Sequence, residues 1–236
     1  MIPCTEVEVP AAGAVAVAEL SDLGAILDRD VQLATWVRPR DPRIEAVAAA
    51  VAEELGPDAR VVVRCDEDDL GAEVTARIPA AAFARDAAAA SAWRDDVVGL
   101  CEAFAELVQA AELMISLEGP AEATCPRFHV DRVGIRLLTT YSGPGTEWLA
   151  ESDVDRAWLG EPGQGRQDDQ NGVMRPGATV RAVAPFSVAL LKGEAWPGAA
   201  GRGAVHRSPD PAGAPRVLLR VDMLRQRAGV GEEVAR

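Results

Sequence analysis

Residues 31–37, Val-Gln-Leu-Ala-Thr-Trp-Val, alternate between apolar and polar, which predicts a strand closed by Pro39 and Pro42. Ser21-Asp22-Leu23 reads as the start of a short helix. Ile44 to Leu55 reads as a helix that opens behind Asp41-Pro42 and stops at Gly56-Pro57. Residues 60–64, Arg-Val-Val-Val-Arg, are β-branched and predict a second strand. From 80 to 112 the chain is alanine-rich. Phe83, Trp93, Val97, Leu100, Phe104 and Leu107 fall there at mostly three- and four-residue steps, the spacing of one amphipathic helix or a pair. The aromatic stripe is a packing face.

The texture changes at Glu118-Gly119-Pro120. Beyond it come short β-type runs split by Gly and Pro: 114–117, 127–131, 135–141, 145–149, 179–183, 187–191, 203–206 and 216–223. The expected fold class is therefore α+β. A double-stranded β-helix, or jelly roll, fills residues 113–224, an N-terminal helix-rich α/β layer (1–112) packs on it, and 225–236 form a flexible tail. The polar, Gly-rich stretch 160–172 predicts a loop able to cover a site.

Charge narrows the function. The chain has 236 residues and a formal charge of −13, opposite to the basic footprint of nucleic-acid binding and unfavourable for an anionic membrane surface. No run reaches the ~18 apolar residues of a membrane span, and Glu6 and Glu8 stand where a secretory signal would be basic. Cys4, Cys65, Cys101 and Cys125 are scattered without a C-x-x-C pair, as expected of reduced thiols in a cytoplasmic protein. The acidic run Asp66-Glu67-Asp68-Asp69 lacks the spacing of a calcium loop and reads as a solvated turn. Oligomeric state and substrate, small molecule or protein, stay open.

The chemistry gathers around Cys125-Pro126-Arg127-Phe128-His129-Val130-Asp131. On a strand, residues two apart share a face, so His129 and Asp131 would project together. The only other histidine, His206, lies just before another strand-like run. Two imidazoles and one carboxylate form the facial triad of non-haem Fe(II) oxygenases and leave three positions open. Cys125, four residues before His129, could complete a tetrahedral zinc site instead, although Pro126 disturbs regular pairing there. Arg216 follows His206 by ten residues, and a guanidinium suits a two-pronged grip on a carboxylate. Gly143-Pro144-Gly145 predicts a tight turn, with Glu147 or Trp148 as candidates for a substrate mouth. Asp153, Asp155 and Arg156 read as a helix start.

In type, order and spacing, His129, Asp131, His206 and Arg216 resemble the Fe(II)/2-oxoglutarate-dependent dioxygenase superfamily. The resemblance implies Fe(II) on His129, Asp131 and His206. It also implies 2-oxoglutarate held at its far carboxylate by Arg216, with Tyr141 as a second hydrogen-bonding partner. The implied reaction is hydroxylation coupled to decarboxylation of 2-oxoglutarate. The phrases Cys-Pro-Arg-Phe-His-Val-Asp, Arg-Leu-Leu-Thr-Thr-Tyr-Ser-Gly-Pro-Gly-Thr-Glu-Trp-Leu and Ala-Val-His-Arg-Ser-Pro also resemble the bacterial domain-of-unknown-function family eighteen-twenty-six. That likeness covers roughly 20–224 and implies zinc as the rival metal, in a protein of metal homeostasis built on the same ligands.

Overall fold

The computed structural model describes residues 11–54, 59–65, 70–77, 86–118, 125–160, 166–168, 170–210 and 216–226. Two sheets face one another. The larger, in the order β1-β2-β8-β5-β10-β4-β3, is built from β1 (Ala14–Val17), β2 (Leu33–Trp36), β3 (Ala59–Arg64), β4 (Ala110–Glu118), β5 (Ile135–Ser142), β8 (Val188–Lys192) and β10 (Val217–Gln226). The smaller, β7-β6-β9, joins β6 (Glu147–Leu149), β7 (Arg181–Ala182) and β9 (Val205–Arg207). Among the described strands, β1 and β2 run parallel and the other pairs are antiparallel.

Period-two alternation sorts each strand between two faces. Ile135, Leu137 and Tyr141 of β5 and Val217, Leu219 and Val221 of β10 turn toward α3 (Ala87–Leu107) and join Trp93, Val97, Leu100 and Phe104 in the main core. α1 (Pro42–Glu54) and α2 (Leu70–Arg77) pack beside α3 on the same side. The even-numbered residues turn the other way. Leu138 and Leu218, with Leu33, Ala189 and Leu191, meet Trp148, Val183 and Ala204 in a second core between the sheets. A third core lies beyond the small sheet, where Phe128, Leu149 and Val205 pack on Val154 and Val173.

Several expectations move. Pro42 opens α1 at its first position, where its missing N–H costs nothing. The Ser21 region forms a 3-10 helix over Leu20–Leu27. The alanine-rich helix ends at Leu107 rather than 112: Gln109 takes φ 52° and the chain turns directly into β4. A division after residue 112 thus falls inside β4, and β1, β2 and β3 from the N-terminal half complete the large sheet. Residues 127–131 do not make a regular strand. One antiparallel bridge, His129 opposite His206, takes its place. The acidic run 66–69 and the tail after 226 lie outside the described residues. No described helix is long and apolar enough to cross a membrane.

Candidate metal centre

The His129–His206 bridge creates the site. His129 N–H donates to the His206 carbonyl and His206 N–H to that of His129, both at 3.0 Å. This exchange sets the imidazoles side by side, with ring centroids 4.5 Å apart. Asp131 is carried in two residues later. Its position is set by Glu194 N–H on its carbonyl at 2.9 Å and by Gly193, where a Cβ would stand 2.2 Å from the Val133 carbonyl oxygen. Only glycine permits that approach.

His129, Asp131 and His206 each offer a ligand atom within 4.8 Å of the others. Nδ1 of His129 faces the Arg127 carbonyl at 2.9 Å, and Nδ1 of His206 faces that of Ala204 at 3.0 Å. A carbonyl only accepts, so each Nδ1 carries the proton and each Nε2 keeps its lone pair. The two Nε2 atoms lie 3.7 and 3.2 Å from the Asp131 carboxylate. Asp131 Oδ2 is buried without a hydrogen bond, although Arg136 Nη1 stands 2.6 Å away as an ion-pair neighbour. Two aimed imidazole lone pairs and an adjacent carboxylate are the donor set of a divalent transition metal. The residues fit such an ion.

The electrostatics agree. Burial alone would raise the Asp131 carboxyl, but the His129 and His206 imidazoles and the Arg136 charge outweigh it and hold the group far below the usual carboxylate range. Burial works against the His129 imidazolium, yet the Asp131 contact and the Arg127 carbonyl raise its pKa overall. Asp131 is thus held as a carboxylate facing both imidazoles.

Arg136 reaches from β5 to Asp222 of β10, Nε to Oδ1 at 2.6 Å and Nη2 to Oδ2 at 3.0 Å. Asp222 is 1% exposed. Arg220 in turn pairs with Glu118 at 2.6 Å. The period-two register of β10 carries the signal: Arg216, Leu218, Arg220 and Asp222 all fall on the site face.

Arg216 donates Nε to the Pro144 carbonyl at 2.9 Å and Nη2 to Thr146 Oγ1 at 2.9 Å, with Thr140 Oγ1 at 3.5 Å. Among the described residues its bonded partners are all uncharged. Burial therefore depresses its pKa to about 10, with only distant Glu118 opposing. The Gly143-Pro144-Gly145 turn is its cradle. A Cβ on Gly145 would lie 1.8 Å from the Val183 carbonyl oxygen, which explains glycine between the two residues that Arg216 grips. Thr146, Leu138 and Leu218 line the same cavity as His129, His206, Arg136, Arg220 and Cys125.

Three expected residues fall elsewhere. Tyr141 sits on the opposite face of β5 from Thr140, 2% exposed, and its hydroxyl donates to Asp96 Oδ2 at 2.7 Å. Asp96 also pairs with Arg38, so Tyr141 belongs to a buried structural network behind the sheet and is no partner for a co-substrate. Cys125 is exposed, and its thiol lies outside the three-residue ligand group, so the tetrahedral arrangement is not formed. Glu147 pairs with Arg207 at 2.6 Å, and Trp148 is buried between the sheets, so neither forms a mouth.

No curated protein matches the chain in sequence. Among solved structures, the dioxygenase for auxin oxidation of rice aligns at 16% identity over 93% of this chain and 84% of its own, with a TM-score of 0.47. The dioxygenase for auxin oxidation 1 of Arabidopsis thaliana, solved as a binary complex with 2-oxoglutarate, aligns at 9% identity over 91% and 92%, with a TM-score of 0.45. Likenesses this distant carry no weight for fold or function. The sequence itself is decisive at family level: residues 18–222 match the family described as "Protein of unknown function (DUF1826)", and the chain belongs to it.

Proposed function

We propose that this protein is an Fe(II)- and 2-oxoglutarate-dependent oxygenase. The observation that carries the proposal is Arg216. It is a partly buried guanidinium whose bonded partners among the described residues are all neutral oxygens, reaching Thr146 in the cavity that His129 and His206 line. A buried cation without an anion is costly, and a carboxylate is its natural complement.

Charge balance supports the same reading. Among the described residues near the cavity, the guanidiniums of Arg136, Arg216 and Arg220 stand beside the carboxylates of Asp131, Asp222 and Glu118. The two positive charges of a divalent cation would be offset by the two negative charges of a dianionic oxo-acid.

In this proposal His129, Asp131 and His206 hold Fe(II), and Arg216 with Thr146 receives the distal carboxylate. Fe(II) and 2-oxoglutarate, once bound, supply hydroxylation of a C–H bond by O₂, with 2-oxoglutarate leaving as succinate and CO₂. The backbone carbonyls of Arg127 and Ala204 fix both imidazole tautomers. Leu138 and Leu218 form an apolar wall beside the ligands, which excludes water from that side. The chain passes from the large sheet at β5 to the small one at β6 and β7, back at β8, across at β9 and back at β10. That winding supports a double-stranded β-helix as the frame.

Anaerobic titration of metal-free protein with Fe(II) and then 2-oxoglutarate tests the proposal. A visible charge-transfer band that needs both additions is expected. Tight Zn²⁺ binding with no such band would overturn it in favour of metal handling on the same three ligands.

A further inference from the structure

A buried carboxylate, Asp168, backs the chain neighbours of the two candidate ligand histidines from outside the small sheet, and Glu147 also holds Arg207 from β6 at 2.6 Å. Phe128 precedes His129, and Arg207 follows His206. Their side chains lie on the far side of the small sheet from the metal ligands: Phe128 packs with Leu149 and Val205, and the Arg207 guanidinium stacks 4.3 Å from the Phe128 ring centroid. Asp168 enters between them. Its Oδ2 accepts the Phe128 N–H at 3.0 Å and Arg207 Nη1 at 2.8 Å, while its Oδ1 accepts Asn171 Nδ2 at 3.1 Å. Asn171 Oδ1 then accepts the Val173 N–H at 2.8 Å. Asp168 and Asn171 are 4% and 7% exposed.

We propose that Asp168 is a positioning residue for the metal centre, a staple that locks the chain neighbours of both histidines and fixes the spacing of the two Nε2 atoms. The described part of the 160–172 segment is then a backing layer for the ligands rather than a lid over them. The inference rests on the metal-site reading above, but not on 2-oxoglutarate. The physical reason is that Asp168 grips residue 128 by its backbone and residue 207 by its head, and so ties together the two segments that the His129–His206 pair and the Ser208 N–H to Cys125 carbonyl bond join. Groups that hydrogen-bond the ligands of a metal site directly are worth about 10–100-fold in metal affinity, which is the upper bound for a residue acting through the ligands' neighbours.

The test uses the full chain and Co²⁺ as the probe. Affinity is read by chelator competition and coordination geometry by the visible d–d bands. Asp168→Ala is expected to bind Co²⁺ more weakly by more than about threefold, below the roughly 10–100-fold lost with a direct partner of a ligand, and with an altered spectrum. Asp168→Asn keeps an acceptor for Phe128 N–H but loses the charge facing Arg207, so it should fall between. Asp30→Asn, an equal charge change at an exposed site, should match the wild type. A residue that only supports the fold would lower the melting temperature and leave affinity and bands unchanged below it. That result, or Asp168→Ala binding within about threefold of wild type, overturns the proposal. Should Asp168→Ala not fold, Asp168→Asn decides by the same criteria. Wild-type protein that binds Co²⁺ but gives no Fe(II)–2-oxoglutarate band sinks the oxygenase reading and leaves the staple standing. Wild-type protein that binds no metal sinks both.

Discussion

Replacing Arg216 by Met should separate ligand binding from stability, and Arg136→Met provides the contrast. In the ligand-free fold, the Arg216 pKa falls from 12.5 to about 10, which costs the charged folded form roughly 3 kcal/mol. Against that stand three hydrogen bonds to neutral oxygens, worth about 1 kcal/mol each. The two sums nearly cancel, so Arg216→Met should change ligand-free stability by no more than about 1 kcal/mol. Arg136 differs because it bridges Asp131 and the buried Asp222; its loss leaves Asp222 with Arg220 at 3.6 Å and Asp131 with the two imidazoles, and should cost about 3 kcal/mol. Binding reverses the ranking of Arg216. Two charge-assisted hydrogen bonds to a carboxylate are worth about 1.5–3 kcal/mol apiece. Their loss weakens 2-oxoglutarate by roughly 10²- to 10⁴-fold at ~1.4 kcal/mol per decade. Calorimetric titration of 2-oxoglutarate into anaerobic Fe(II) protein reads the first quantity, and denaturant melts of metal-free protein read the second. An Arg216→Met protein that binds 2-oxoglutarate within threefold of wild type would refute the assignment. One that is destabilised as much as Arg136→Met would show Arg216 to be structural.

His129→Ala and Asp131→Ala should each abolish tight Co²⁺ or Fe²⁺ binding while the far-ultraviolet circular dichroism stays that of the wild type; retained metal in either variant would disprove the triad. Tyr141→Phe leaves the Asp96–Arg38 pair without its third member and should cost about 1–3 kcal/mol in denaturant melts, with metal and 2-oxoglutarate affinities unmoved. Gly145→Ala should weaken 2-oxoglutarate more than metal, because the added Cβ pushes the Pro144–Thr146 turn off the Val183 carbonyl and away from Arg216; equal binding by both proteins would count against the cradle. The folded Asp131 carboxyl titrates below its unfolded value of about 3.9, so its contribution is present above pH ~4 and fades as pH falls further. Metal-free Asp131→Asn should therefore show a shallower acid limb in stability against pH, measured by urea melts at several pH values.

How much of this was legible in the sequence depends on which physical rule each residue obeys. The strands that carry the site follow period two, so 135–141, 187–191 and 216–223 fall within three residues of the bounds of β5, β8 and β10. The ligands were legible for a different reason: histidine occurs only twice here, so the pairing problem had one solution. Tyr141 went wrong by one position of the same rule. Neighbours on a strand face opposite ways, and once Thr140 turns to Arg216, Tyr141 must turn to the helices. The stretch around His129 looks extended in sequence, yet in the fold one reciprocal hydrogen-bonded pair does the work. Nothing local could separate those cases. Asp168 is the hardest instance. In sequence it lies in a polar, Gly-rich run that has every mark of solvated loop, 39 positions from Arg207 and 40 from Phe128. Composition describes what a segment can do in water. What buries Asp168 is the pair of donors that the folded small sheet presents to it, and those donors exist only after His129 and His206 have met. The residue that steadies the metal centre is thus specified by the assembled site, which is why its role can be read from the coordinates and not from the loop that carries it.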